Sequence, residues 1–203
     1  MKHTRLIASS TIIAAFVLSA GSALSQQQLS EDEKKKKAAE YYALAAPGPE
    51  HQRLHALAGK WDQEIKYWMQ PGKPPMIAKA SCENRMILGG RFLVSESKGN
   101  MAGMNVEATS ILGFDRRHKR YTTVGLDTMG TYYVTAAGSY DESKQALVMY
   151  GEDVDPILGT QKYDIILRFA GPDKYVTEVV FKDQAHTHGL PEFKAVEITH
   201  KRQ

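Results

Sequence analysis

Residues 85–133 read RMILGGRFLVSESKGNMAGMNVEATSILGFDRRHKRYTTVGLDTMGTYY, and no other stretch limits the fold as tightly. Met86, Ile87 and Leu88 run into Gly89-Gly90, and a second apolar run leaves over residues 91–96. A Gly-Gly pair between two such runs predicts a hairpin, because the favoured tight turns need positive φ at their central residues. Val106, Ala108, Ser110, Leu112 and Phe114 then alternate with Asn105, Glu107, Thr109 and Gly113, the period of a strand with one buried face. Residues 115–119 form a polar turn, and residues 121–126 return. Consecutive antiparallel strands fix an all-β class.

The rest of the chain repeats this pattern. Trp61, Gln63, Ile65, Tyr67 and Met69 alternate with Asp62, Glu64, Lys66 and Trp68. A strand is predicted over residues 76–88, with Met76, Ala78, Ala80, Cys82, Asn84, Met86 and Leu88 on one face. Residues 99–103 read as a hairpin loop. Further strands are expected over residues 131–140 and 145–150, with an acidic loop at 151–159. Residues 160–170, Tyr175 to Phe181, and residues 193–201 complete the set. About ten strands with short links and no intervening helix cannot pair in parallel. Such a set closes into a barrel or splits into two sheets. The expectation is an antiparallel up-and-down barrel preceded by a short helix over residues 50–58, where Leu54 and Leu57 share a side.

The N-terminus reads as a targeting device. Lys2, His3 and Arg5 precede an apolar run over residues 6–18, and Ala23-Leu24-Ser25 supplies the small residues that a signal peptidase reads. The run is too short to span ~30 Å of hydrocarbon. A cleaved signal peptide over residues 1–25 is therefore expected, and with it a periplasmic or secreted protein without an integral membrane segment. Its removal takes away two basic residues and no acid, lowering the formal charge from +3 to +1. A nearly neutral protein has no electrostatic reason to seek nucleic acid. Cys82 is the sole cysteine, so no internal disulfide is available. Residues 26–49 form a charged segment in which Glu31-Asp32-Glu33 precede Lys34 to Lys37, an order that suits a solvated helix with Ser30 as its cap. Pro47-Gly48-Pro49 breaks the chain, and residues 50–203 are expected to form the barrel domain.

Leu57-Ala58-Gly59-Lys60-Trp61 resembles the opening of lipocalin-like (calycin) barrels. The resemblance implies a Trp packed across the barrel floor under a basic residue of the last strand, here Lys201 or Arg202. Leu-Gly-Gly-Arg-Phe-Leu (88–93), Gly-Phe-Asp (113–115), Lys-Arg-Tyr (119–121) and Asp-x-Met-Gly-Thr (127–131) together are similar to the bacterial family catalogued as domain of unknown function 1579. That resemblance covers roughly residues 50–200 and implies a lipocalin-like barrel. It carries no activity and no catalytic residue.

Candidate chemistry is sparse. His51 and His55 stand four apart on one helix face, as two zinc ligands would, but a site needs a third ligand. His186 and His188 beside Asp183 read as a loop pair. His200 lies in the last strand, where an inward imidazole would be placed to ligate haem as in nitrobindin-type ten-stranded barrels. Their extended Gly-x-Trp-x-Gly opening is missing here, so a core or rim histidine is the plainer reading. Cys82 faces the apolar side of its strand, where burial quiets a thiol. No nucleophile elbow, phosphate loop or dinucleotide fingerprint is present, and no cofactor or metal is called for. Glu96, Asp127 and Glu178 lie near apolar faces and would have to meet inside the barrel to act as an acid pair; surface exposure is the default.

Three readings follow. The first is an exported barrel that binds a small apolar molecule in a cavity lined by Trp61, Tyr67, Asn84, Met86, Tyr133 and His200, with room left by Ala78, Ala80, Ala108 and Ser110. The second is an enzyme using that cavity. The third is a filled barrel that binds a protein partner, which the residues do not identify. A cavity separates the first two from the third.

Overall fold

The computed structural model describes residues 29–157 and 159–203. The expected signal peptide falls outside them. Within the described residues the chain divides between Ala38 and Ala39 into two units. The first carries the start of helix α1 (Glu31–Ala45), which opens on a capping box. Glu33 N donates to Ser30 Oγ at 3.2 Å, and Ser30 N donates back to the Glu33 carboxylate at 2.8 Å. The bonds that Ser30 N and Oγ donate to the ionised carboxylate lower the Glu33 pKa. Helix α1 buries none of its side chains.

The second unit is the barrel. Helix α2 (Glu50–Ala56) leads into β1 (Gly59–Tyr67), β2 (Met76–Ile87), β3 (Phe92–Met101), β4 (Met104–Asp115) and β5 (Arg120–Asp127). Then follow β6 (Val134–Asp141), β7 (Ala146–Asp155), β8 (Gly159–Phe169), β9 (Lys174–Phe181), the single-turn helix α3 (Gln184–Thr187) and β10 (Phe193–Arg202). Each strand pairs antiparallel with its neighbours in sequence, and β1 closes the cylinder against β10 from Trp61↔Arg202 to Tyr67↔Val196. Closure leaves no open edge of the kind that invites aggregation. The all-β, up-and-down barrel read from the alternation is the fold of the chain.

Several boundaries differ from the sequence reading. Strand β2 stops at Ile87, and Leu88 enters the turn at φ 50°, ahead of Gly89 and Gly90 at 65° and 80°. The expected 99–103 loop shrinks to a two-residue turn at Ala102 (φ 51°) and Gly103 (φ 88°), the geometry favoured in tight hairpins. Residues 151–155, expected as an acidic loop, continue β7 against β8 from Gly151↔Tyr163 to Asp155↔Gly159, with Glu152 on the outer face, where Lys162 reaches it at 3.9 Å. Tyr132 and Tyr133, expected in a strand, precede β6, whose pairing with β5 runs only from Tyr121↔Gly138 to Gly125↔Val134. Residues 186–191 are not all loop: α3 is capped by Asp183, whose side chain accepts from His186 N.

Helix α2 plugs one end of the cylinder. Leu54 and Leu57 are fully buried there with Trp61, Leu93, Leu112, Tyr121, Leu147 and Met149. Burying such side chains stabilises by roughly 1.5–3 kcal/mol each. Gly113 lies against the Phe92 ring, where a Cβ would come within 2.5 Å of Cδ1. The other end of the barrel carries the 68–75, 102–103, 128–133 and 182–192 connections.

Candidate functional site

Trp61 is 1% exposed at the plugged end. Its Nε1 donates to Leu57 O at 2.9 Å, and its ring meets Tyr175 edge-on at 4.7 Å. Of the two basic residues left open by the sequence, Arg202 covers the indole, its guanidinium 4.1 Å from the ring centroid. Arg202 also donates to Ala58 O at 2.8 Å, Ala56 O at 2.9 Å and Pro172 O at 3.0 Å. The planar fork thus ties helix α2 and the β8–β9 turn to the floor, which a lysine could not do.

Asn84, paired with Gly59 at the start of β1, completes this floor. Its Nδ2 donates to Leu57 O at 2.9 Å and to Tyr175 OH at 3.0 Å, and its Oδ1 accepts from Cys82 Sγ at 3.0 Å. Burial pushes the Tyr175 hydroxyl pKa well up, so it stays protonated. Cys82 is a packed thiol in this network, also 3.0 Å from Ser95 Oγ.

Above this floor the barrel is hollow. A cavity of about 240 Å³ is walled by Leu93, Leu112, Met149, Ile165, Leu167, Val179 and Ile198, with Gln63, Asn84, Ser95, Ser97, Ser110, Thr123, Tyr175, Thr177 and His200 supplying polar atoms. A second hollow of about 90 Å³ shares Gln63, Ser97, Ala108 and Ile198 with it and continues past Ala78, Ala80 and Gly99 to Met101. The small side chains on β2, β3 and β4 make this space. Across the barrel the same height is filled by Tyr163 against Phe181, and by His186 stacked on Phe181 at 4.8 Å.

His200 and Gln63 project into the cavity from paired positions on β10 and β1. The His200 ring stacks on Tyr175 at 3.8 Å. Its Nδ1 lies 3.3 Å from Gln63 Nε2 and its Nε2 lies 3.4 Å from Thr177 Oγ1. With Gln63 donating to Nδ1, the neutral ring carries its proton on Nε2, facing Thr177. Burial lowers the His200 pKa to about 3, so the ring is neutral near pH 7. Gln63 is 6% exposed, and its Oε1 has no hydrogen-bond partner.

This arrangement can hold a ligand but is ill suited to catalysis. A hydroxyl, an imidazole and an amide in a row have the outline of a nucleophile–base–orienter set. Yet a base this weak does not activate an alcohol at neutral pH, and Gln63 offers no charge to stabilise an imidazolium. It does not fit haem either: both ring nitrogens of His200 face polar partners, one face lies on Tyr175, and the cavity is small for a porphyrin.

The remaining sequence candidates fall elsewhere. Tyr67 is half-buried on the inward side of β1, opposite Met76 and Val196 and beyond the cavity lining. Met86 packs against the core near the floor, paired with Leu93. Tyr133 is 63% exposed in the 128–133 connection and lies outside the cavity. His51 is buried with Nδ1 accepting from Gly48 N at 3.0 Å, and burial lowers its pKa. His55 is exposed. His186 bonds Asp183 at 2.7 Å, and His188 meets Phe193 edge-on. Among the described residues no group of three His, Cys, Asp or Glu side chains is placed to hold a metal. Glu96 pairs with Arg85 and Glu178 with Arg168 and Lys194, while Asp127 caps Met129 N, so the three carboxylates do not meet.

Larger clefts lie at the surface, two of them lined by aromatic side chains. One of about 360 Å³ is flanked by Tyr41, Phe92 and Phe114, but its arginines are engaged. Arg91 donates to Ala45 O and Arg116 to Ala43 O and Ala46 O, while Arg117 pairs with Asp115, holding that carboxyl well below its ordinary pKa. The other, of about 480 Å³, is a shallow groove beside Tyr132, Tyr133 and the end of β7. Neither gathers buried polar groups as the inner cavity does.

Sequence reasoning missed Gln63, Tyr175 and Thr177 as a set. Each sits on the inward side of its alternation, so a polar residue among apolar partners was the available signal. Which strands face one another across a barrel is not written locally.

A family model described as "Protein of unknown function (DUF1579)" matches residues 46–202. The chain belongs to this family. No curated protein matches it. The crystal structure of Rv2717c from M. tuberculosis resembles this DUF1579 chain with a TM-score of 0.53 at 14% identity, over 78% of this chain and 99% of that one. The S-type phycobiliprotein lyase CPES from Guillardia theta gives a TM-score of 0.51 at 11% identity, over 75% of this chain and 91% of that one. At such identities the likeness is one of fold. Among the described residues no helix of the DUF1579 chain is long and apolar enough to cross a membrane.

Proposed function

We propose that this protein is an exported barrel that carries or senses a small, largely apolar molecule inside its cavity. The observation that carries the reading is the hollow above the Trp61 floor, with apolar walls and a few converging buried polar groups. Ligand pockets generally have that composition. A barrel shaped only for stability would fill the space, because unfilled volume forfeits packing energy. Ala78, Ala80, Gly99 and Ala108 instead keep it open on one side. Export is supported by the basic, apolar and small-residue succession over residues 1–25.

Native mass spectrometry on protein recovered from its own cells, with an absorption spectrum, tests both halves. The expected result is a polypeptide beginning after Ser25, found outside the cytoplasm, with an added small mass that denaturation releases. An uncleaved cytoplasmic chain would overturn the export reading. A bare polypeptide that takes up no apolar compound on supplementation would overturn the binding reading.

A further inference from the structure

We propose that the cavity selects an uncharged molecule about the size of one substituted ring that bears a hydroxyl group, and that Gln63 reads that group. This rests on the binding function proposed above and narrows its ligand class.

Size comes first. A dry apolar cavity of ~150 Å³ already admits benzene, so about 240 Å³ accommodates one ring with a substituent or a short branched chain. A long acyl chain would have to pass out through the adjoining hollow and past Met101.

Charge comes second. No residue lining the larger hollow is ionised near neutral pH, since His200 is held neutral by burial. An ion placed there would lose its hydration without gaining a counter-charge, which is strongly unfavourable.

The polar requirement is the most specific. Buried polar atoms in folded proteins are almost all hydrogen-bonded, and an orphan costs about 1–3 kcal/mol. Gln63 Oε1 is such an orphan, on a residue that lines both hollows. Its amide nitrogen is used on His200 Nδ1. A ligand donor within reach of Oε1 completes the group. Were the carboxamide turned over, Nε2 would face the hollow and want an acceptor. A hydroxyl meets both demands, whereas an ether or a ketone meets only the second and a hydrocarbon meets neither.

The experiment compares p-cresol, p-xylene and p-toluate, three compounds of one shape, by titration calorimetry on the purified protein and on Gln63→Leu. Dividing the p-cresol affinity by the p-xylene affinity within each protein removes their different hydration. That ratio is expected to fall on the order of ten-fold in Gln63→Leu, with p-toluate binding neither protein. If Gln63→Leu does not fold, imidazole 15N spectra of the unaltered protein serve instead. The His200 ring nitrogens should shift with p-cresol and stay in place with p-xylene. An unchanged ratio, equal 15N shifts with both compounds, or p-toluate bound as well as p-cresol overturns the inference while leaving a binding cavity in place. Failure of both neutral rings to bind overturns the binding function as well.

Discussion

The plugged end of the barrel and the hollow just above it are built from the same alternating strands, yet they treat polar atoms in opposite ways. At the plugged end Trp61 Nε1, Asn84 Nδ2 and the Arg202 guanidinium all find partners at 2.8–3.0 Å. One level up, the His200 contacts lengthen to 3.3 and 3.4 Å and Gln63 Oε1 has no partner. Large side chains close the first region, and alanines, serines and a glycine hold one side of the second open. The difference teaches that stability and recognition are separated along the barrel axis. Core packing secures the plug, and the unmatched polarity waits for a guest.

The largest test of this division is Trp61→Ala. It removes the floor and should cost about 3–5 kcal/mol in urea unfolding, as for other buried aromatics. A loss under 1 kcal/mol would show that the plug does not hold the fold.

The pH response comes next. His200 has a folded pKa of about 3 against an ordinary 6.5, so the unfolded chain takes up a proton that the native state refuses. Stability from this group is complete above pH 6.5 and declines as the pH falls toward 3. The loss should reach about 2 kcal/mol at pH 5. His51 shifts in the same direction, so the comparison is with His200→Gln, which should lose correspondingly less between pH 7.5 and pH 5 in paired urea melts. Equal losses would contradict the neutral, buried imidazole.

A smaller effect is expected of Arg202→Lys. It keeps the charge and loses the fork over Ala56, Ala58 and Pro172, at about 1–2 kcal/mol. Finally, Ala108→Leu adds volume where both hollows meet. Thermal unfolding should change by less than about 1.5 kcal/mol, because the added side chain enters open space, while binding of neutral rings should be lost. Together the last two variants would separate stability from binding.

How much of this was legible depended on distance along the chain. The β3–β4 region was read closely because its alternation and turn residues are local. The end of β7 was read as loop because Glu152, Asp153 and Asp155 look like solvent-facing turn residues until β8 pairs with them. Tyr133 was placed inside because its neighbours have strand composition, but β6 begins after it. His200 and Asn84 were visible as polar residues in inward registers. Gln63 had the same signal, but its significance arises from Thr177 and Tyr175, more than 100 residues away in sequence and brought near by closure of β1 on β10 and β9.

The central claim is that the space above the Trp61 floor is a binding cavity rather than a packing fault. Methyl NMR on the intact protein titrated with benzene tests it most directly. The account predicts saturable shifts at the methyls of Leu93, Leu112, Met149, Ile165, Leu167, Val179 and Ile198, with Leu54 at the plug unmoved. Shifts confined to surface methyls, or none at all, would contradict it.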